Sequence, residues 1–182
     1  MRAPGEPAVY GYGDPNADFH VIGADAESHG GAETGVPFTG SVAGERIQSV
    51  LYEVGFATEP YSDAPDLENC FLSYMRLSPG DPGDLERYID AELRALNAHI
   101  LLPVGDDALS YLLAEFTTQA RKFPRDAAKL HATDIRGRGF LVIPVREPDE
   151  WEPGDHEALV DTLTALLNSD YRQTKGVATT VG

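Results

Sequence analysis

The sequence predicts an α/β fold, a single three-layer α/β/α domain over residues 1–182 whose central, mostly parallel sheet has four strands. Three observations predict it. Short apolar runs alternate along the chain with stretches in which apolar residues recur at helical spacing. The runs are apolar at consecutive positions instead of every second one, the pattern of strands covered on both faces. Glycine, proline or acidic turn residues separate one pattern from the next.

The first run, Asp18-Phe19-His20-Val21-Ile22-Gly23, reads as a buried strand that stops at its glycine. After a long loop, Ser41 caps a helix whose Ile47, Val50, Leu51 and Val54 share one face and which ends near Gly55. Residues 57–69 hold acids and prolines without periodicity and read as a connection. Cys70 to Met75 is the second strand. The turn-rich Ser78-Pro79-Gly80-Asp81-Pro82-Gly83 opens a helix from about Asp84 to Leu96, with Leu85, Ile89, Leu93 and Leu96 on one side. His99 to Val104 is the third strand, followed by Gly105 and a helix capped by Asp106 or Asp107, with Leu109, Leu112, Leu113 and Phe116 among its apolar positions. Residues 117–131 read as a helical continuation and then a lid. Thr133 to Val145 is a short hairpin turning at Arg136-Gly137-Arg138-Gly139, and its second arm, Phe140 to Ile143, is the fourth buried strand. A last helix from about Asp155 to Leu167 turns Leu159, Leu163, Leu166 and Leu167 inward. Residues 1–8 and 172–182 lack periodicity and read as loose ends.

The formal charge of −16 comes from 30 acidic residues against 14 basic ones, of which only 3 are lysine. A carboxylate-rich surface stays hydrated in concentrated salt, and the composition reads as adaptation to a salt-rich cytoplasm. At molar salt the Debye length is about 3 Å, so repulsion between this chain and DNA nearly vanishes; at low salt the same charge argues strongly against a nucleic-acid partner. The basic cluster Arg121-Lys122-Phe123-Pro124-Arg125 with Lys129 is either a solvated helix face or a contact for phosphate. The single cysteine, Cys70, excludes an internal disulfide and any site built from several thiolates; it reads as a small buried hydrophobe. No apolar stretch reaches bilayer-spanning length and the first residues lack a secretory apolar core, so the expectation is a cytoplasmic monomer without a membrane partner.

Chemistry is expected in the loop after the first strand. In an open parallel sheet, ligands collect beyond the carboxyl ends of the strands, where the connections converge. Residues 24–40 supply acids (Asp25, Glu27), a histidine (His29), flexible glycines and an aromatic ring (Phe38). Gly30, Gly31 and Gly35 do not form a phosphate loop with its lysine, which argues against an unrelated nucleotide-binding protein. The stretch from Gly23 to Gly40, with His29-Gly30 inside it and Phe38-Thr39-Gly40 at its end, resembles the first active-site motif of the uracil-DNA glycosylase superfamily. It is closest to the thermophile-type branch, which carries an iron–sulfur cluster. Tyr10 to Ala17 resembles the lead-in to the family's first strand, Ser73 to Pro79 its second strand and loop, and Leu101 to Gly105 its third strand and glycine. The resemblance runs over residues 10–167.

What the resemblance implies is a DNA glycosylase of base-excision repair that flips a deaminated base and hydrolyses its N-glycosidic bond. Phe38 is then the ring on which the base stacks, a contact worth about 1–3 kcal/mol, or else a core phenylalanine beside Pro37. Asp25 or Glu27 positions the water that attacks C1′ and stabilises an oxocarbenium-like transition state, Asp25 being closer to the strand end; the alternative for each is a solvated surface acid. His29 either donates to the substrate or closes the glycine turn. Ser73 falls where the family has Asn or Ser near the uracil edge. Arg76 is a phosphate contact or a surface ion pair.

Two departures set the limits of the resemblance. The family's last motif is a His-Pro-Ser turn whose histidine donates to uracil O2 as the anionic base leaves, and the corresponding segment here is Pro144-Val145-Arg146-Glu147-Pro148-Asp149-Glu150-Trp151. Arg146 takes the histidine's approximate place and either stabilises the leaving group by charge or forms a structural ion pair, with Glu147 beside it to neutralise it. The cluster thiolates are missing as well, Leu77 standing where one cysteine would be, so no iron–sulfur cluster and no other cofactor or metal is expected. These losses open a second possibility, a family member without glycosylase chemistry that binds a nucleobase, nucleic acid or protein through the same crevice.

Overall fold

A computed structural model of the chain describes residues 8–76, 85–96, 98–116, 124–137 and 139–169. The predicted turn at 78–83, Leu77, Arg138, residues 121–123 of the basic cluster, the start of the expected lid and nearly all of both ends lie outside the described residues.

Six strands form one sheet in the order β1-β3-β2-β4-β6-β5. They are β1 (Tyr12–Gly13), β2 (Phe19–Gly23), β3 (Cys70–Tyr74), β4 (Ile100–Pro103), β5 (Ile135–Arg136) and β6 (Leu141–Val142). The four predicted strands are β2, β3, β4 and β6, mutually parallel. The count of four is corrected to six by β1 and β5, which pair antiparallel at the two edges. β5 is the first arm of the hairpin expected over Thr133 to Val145, and β1 has two residues, too few for any hydrophobic period to register in the sequence.

The helices are α1 (Ala26–His29), α2 (Val42–Glu53), α3 (Leu85–Leu96), α4 (Asp106–Phe116), α5 (Ala127–Leu130) and α6 (Asp155–Leu167), with a 3-10 turn at Pro148–Glu150. On one face of the sheet Ile47, Val50 and Leu51 of α2 and Leu159 and Leu163 of α6 pack on Val21, Leu72, Ile100 and Leu102. On the other, Ile89 and Leu93 of α3 and Ala108 and Leu112 of α4 cover Ile22 and Leu101. Both faces are dry, which is why these strands read as unbroken apolar runs. Ser41 caps α2 as expected, its hydroxyl accepting from Gly44 N at 2.9 Å. Asp106 does not cap α4: it is the helix's first residue, and its carboxylate accepts the Ala127 N–H at 2.8 Å, fastening α5 to the start of α4. None of the described helices is long and apolar enough to cross a membrane.

Register sets where the site forms. Phe19 to Gly23 pair with Cys70 to Tyr74 in step, and Phe19 to Ile22 with Ile100 to Pro103, so three strands reach their carboxyl ends together. Parallel bonding continues beyond them through Met75 N to Gly23 O at 2.8 Å and Arg76 N to Ala24 O at 2.9 Å. The connections that leave these ends are therefore held side by side.

Candidate active site

Three rings meet on Gly23. His29 and Phe38 lie stacked with centroids 5.4 Å apart and planes at 29°, and Tyr74 meets the Phe38 ring edge-on at 5.3 Å. A β-carbon on Gly23 would fall 2.7 Å from both His29 Nδ1 and Phe38 Cζ, so this strand must end in glycine for the rings to close over it. Phe38 is fully buried and holds a φ of 60°, a left-handed backbone that a residue with a side chain seldom adopts. Its position is held from both sides of the chain: its N–H donates to the Tyr74 hydroxyl at 2.8 Å, and its carbonyl accepts from Gln48 Nε2 at 2.8 Å. The Tyr74 hydroxyl in turn donates to Gly30 O at 2.7 Å, and burial pushes its ionisation well above the ordinary phenol range, so it remains a donor.

His29 is completely buried. Its Nδ1 accepts the Ala24 N–H at 3.1 Å, so the ring proton sits on Nε2, which donates to Glu147 Oε1 at 2.8 Å. The backbone carbonyl of His29 accepts from Ser41 Oγ at 2.7 Å, which ties α1 to the start of α2. The loop from β2 to α2 is thus fixed at His29, Phe38 and Ser41, and Gly30, with φ of 98°, lets the chain turn between them.

Asp25 caps α1, accepting from Ser28 N at 2.8 Å, and its second oxygen lies 3.4 Å from Arg76 Nη1. Arg76 also approaches Asp107 at 3.7 Å, linking the segments that follow β2, β3 and β4, and its side chain is 38% exposed. Glu27 is exposed on the outer side of the loop, where it borders a cavity of about 340 Å³ with Gly30, Gly31, Glu33 and Asp63.

The structure brings Asp25, His29, Phe38 and Arg76 to the carboxyl ends of β2 and β3. It does not bring Ser73 to them. Ser73 pairs with Ile22 and shares its face of the sheet, and its hydroxyl lies 2.7 Å from His20 Nε2 in the layer under α3 and α4. Burial pushes the His20 imidazolium down to about 3, so this ring is neutral.

At the last strand, neighbouring residues point to different partners. Arg146 donates to Glu152 at 3.1 Å and to Asp155 at 3.3 Å, which hold its guanidinium charged and direct it toward α6. It lines a cavity of about 200 Å³ together with Glu147, Asp106, Asp126 and Glu150. Glu147 does not neutralise it. The Glu147 carboxylate reaches the other way, to His29, with Oε2 only 2.7 Å from where a side chain on Gly105 would begin. Sequence reasoning missed this residue. No signal in the sequence singles it out over Arg146, because which of two adjacent residues faces His29 is set by the packing around them.

Cys70 is the chain's one cysteine, it is fully buried within β3, and burial pushes its thiol far above the thiolate-forming range. Among the described residues, no group of three or more His, Cys, Asp or Glu is placed to hold a metal ion.

A type-5 uracil-DNA glycosylase of Thermus thermophilus is 31% identical over 136 residues, covering 66% of this chain and 62% of that protein, so the chain spans less than two thirds of its relative's length. The family model for the uracil DNA glycosylase superfamily matches residues 10–150, a span that runs from the lead-in of β1 through the β2–α2 loop to the Glu147–Pro148 turn, and the chain belongs to that superfamily.

Proposed function

We propose that the protein is a uracil-DNA glycosylase-like enzyme of base-excision repair, hydrolysing the bond between deoxyribose C1′ and a deaminated base in DNA. The observation that carries this reading is the β2–α2 loop of a family member, which holds a carboxylate, a histidine and an aromatic ring together at the carboxyl ends of three strands. In it, Asp25 orients the attacking water and its charge offsets the positive charge that develops on the sugar as the glycosidic bond lengthens. Its hydrogen bond from Ser28 N and its contact with Arg76 hold the carboxylate in one orientation, as this role needs. Phe38 supplies the stacking surface. Because His29 covers that surface in the free protein, the base enters as the His29 ring swings away, and the Glu147–His29 hydrogen bond is the contact that must open. Arg76, the more exposed partner of its ion pairs with Asp25, meets a phosphate. Arg146 assists the leaving group only on release from Glu152 and Asp155. Ser73 has no part in this reading.

A second reading is favoured by one specific observation: the segment after β6 holds no histidine over residues 144–149 and presents the Glu147 carboxylate, already bonded to His29. A family member that binds a base, nucleic acid or protein without cleaving would tolerate such a change. The test is incubation with uracil-containing single- and double-stranded oligonucleotides in molar KCl, followed by detection of abasic sites. The enzyme forms them, and Asp25→Asn reduces the rate by at least about 100-fold. Absence of product on uracil, hypoxanthine and xanthine alike would leave the binding reading.

A further inference from the structure

His29 covers the Phe38 ring in the free protein, so a base that displaces this histidine also removes one of the groups packed on Phe38. Two hydrogen bonds hold the Phe38 backbone through such an exchange. The Tyr74 hydroxyl accepts the Phe38 N–H, but it is shared with Gly30 O, one residue beyond His29, and movement of that histidine acts on it. The other is made by Gln48, on α2. Its Nε2 donates to Phe38 O at 2.8 Å and to Ser62 O at 3.0 Å, and its Oε1 accepts the Ser62 N–H at 2.9 Å. Both donors and the acceptor oxygen of a fully buried amide are thus engaged. One helical turn earlier, a β-carbon on Gly44 would fall 2.5 Å from both Phe38 C and Phe38 O, so α2 lies directly against this peptide group. Beside Ser62, the Tyr61 hydroxyl accepts the Gly40 N–H at 2.7 Å. Residues 38–40 are therefore gripped by α2 and by the connection that leads to β3, as well as from the side of α1.

The φ of 60° at Phe38 persists because its surroundings impose it, and the direction of the ring follows from that backbone. Resting on the glycosylase reading above, we infer that Gln48 is a positioning residue for base capture: acting through the Phe38 carbonyl, it keeps the ring in its stacking position while His29 is displaced. Without the amide, a buried carbonyl loses its donor, and the peptide group turns toward negative φ and carries the ring with it. The incoming base then meets a surface that has to be reset at each encounter instead of one already in place. The helix register explains why this residue serves. Gly44 brings α2 close enough to Phe38, and a side chain one turn later, with two N–H donors on one nitrogen, spans from Phe38 O to Ser62 O.

The experiment is a double-mutant cycle between Gln48→Met, which keeps the length of the side chain but removes its donors, and Phe38→Leu, which removes the ring. Single-turnover release of uracil from a single-stranded oligonucleotide is measured in molar KCl at saturating protein, at a temperature where urea titration shows every variant folded. Gln48→Met lowers the rate by at least about tenfold, and Phe38→Leu lowers it by at least as much. In the Phe38→Leu background, Gln48→Met changes the rate by less than about twofold, because the ring through which it acts is gone. A merely structural role makes the two losses multiply. Multiplying losses, or a wild-type rate in either single variant, overturn the inference while leaving base release itself intact. Should Gln48→Met not fold, Gln48→Asn, whose amide falls one methylene short of the Phe38 carbonyl, takes its place in the cycle. If the wild-type protein releases no base, the glycosylase reading fails by itself, and the cycle is read on affinity for the uracil-containing strand relative to the same strand with a tetrahydrofuran abasic analogue. A preference for the base that Gln48→Met weakens, and that it weakens no further in the Phe38→Leu background, supports the positioning role. No preference, or losses that multiply, overturns it.

Discussion

Glu147 accepts the Nε2–H of His29 at 2.8 Å across 118 residues of sequence, so that the first and last connections of the sheet close on each other through a single hydrogen bond. The bond sits at the mouth of the crevice, where β2 and the segment after β6 are separated by β4. It fixes both the tautomer of the histidine and the direction of the carboxylate.

Glu147→Ala strips the acceptor from a buried N–H and is expected to lower stability by about 1–3 kcal/mol, whereas Glu147→Gln, which retains an acceptor, should cost less than about 1 kcal/mol. Urea unfolding of both variants measures the difference. Equal losses would mean that the hydrogen bond contributes nothing of its own.

Gly23→Ala pushes a methyl group into the point where three rings meet, 2.7 Å from His29 and Phe38 and 3.0 Å from Tyr74. Overpacking of this kind costs about 1–3 kcal/mol. Displacement of Phe38 should also reduce base release by about 100-fold in a folded sample. Thermal unfolding beside the abasic-site assay gives both numbers, and an unaffected variant would show that the rings are free to separate.

Tyr74→Phe removes the hydroxyl that accepts from Phe38 N and donates to Gly30 O. Two backbone groups of one loop lose their partner, for an expected loss of about 2–4 kcal/mol at the usual cost per unsatisfied group. Amide exchange should quicken in residues 24–41 more than in β4, and uniform exchange across both would contradict the role given to this phenol.

His20 supplies an acid-sensitive element in the core. Its ring ionises with a pKa of about 3 in the folded protein, against 6.5 when unfolded, because burial disfavours the charged form. The unfolded chain therefore binds the proton first. This contribution to stability is constant above pH 6.5 and is lost as pH falls from 6.5 toward about 3, at about 1.4 kcal/mol per pH unit. His20→Gln, which cannot ionise, should flatten the dependence in that window in denaturant titrations at several pH values. An unchanged slope would assign the acid sensitivity elsewhere.

Salt should accelerate the reaction on DNA. With a formal charge of −16, the protein meets the phosphate backbone against repulsion that reaches about 10 Å at 0.1 M salt and only about 3 Å at 1 M. Abasic-site formation at low protein concentration is expected to rise between these limits, opposite to the fall typical of basic DNA-binding proteins. A steady decline with salt would place the DNA contact on a locally basic surface.

The elements were legible because local chemistry specifies them. Continuous apolar runs mark doubly covered strands, Ser41 marks the start of α2, and the acid, histidine, glycine and aromatic order of residues 25–40 marks the loop. Arg146 and Glu147 were not separable on those grounds, since adjacent residues beyond a strand diverge by an angle that only the packing against α6 and His29 sets. Ser73 was a similar case: its one-residue offset from Tyr74 decides which face of the sheet its hydroxyl joins, and pairing with β2 fixes that offset.

The sequence by itself determined the layers, the parallel core of the sheet, the loop of the candidate site and the superfamily, because each follows from residue type and spacing along a continuous segment. The tertiary structure alone decided that His29 covers Phe38, that Glu147 and not Arg146 faces them, and that Ser73 belongs to a different layer. Those are relations between segments far apart in the chain, and they exist only once strand register brings the segments to one edge.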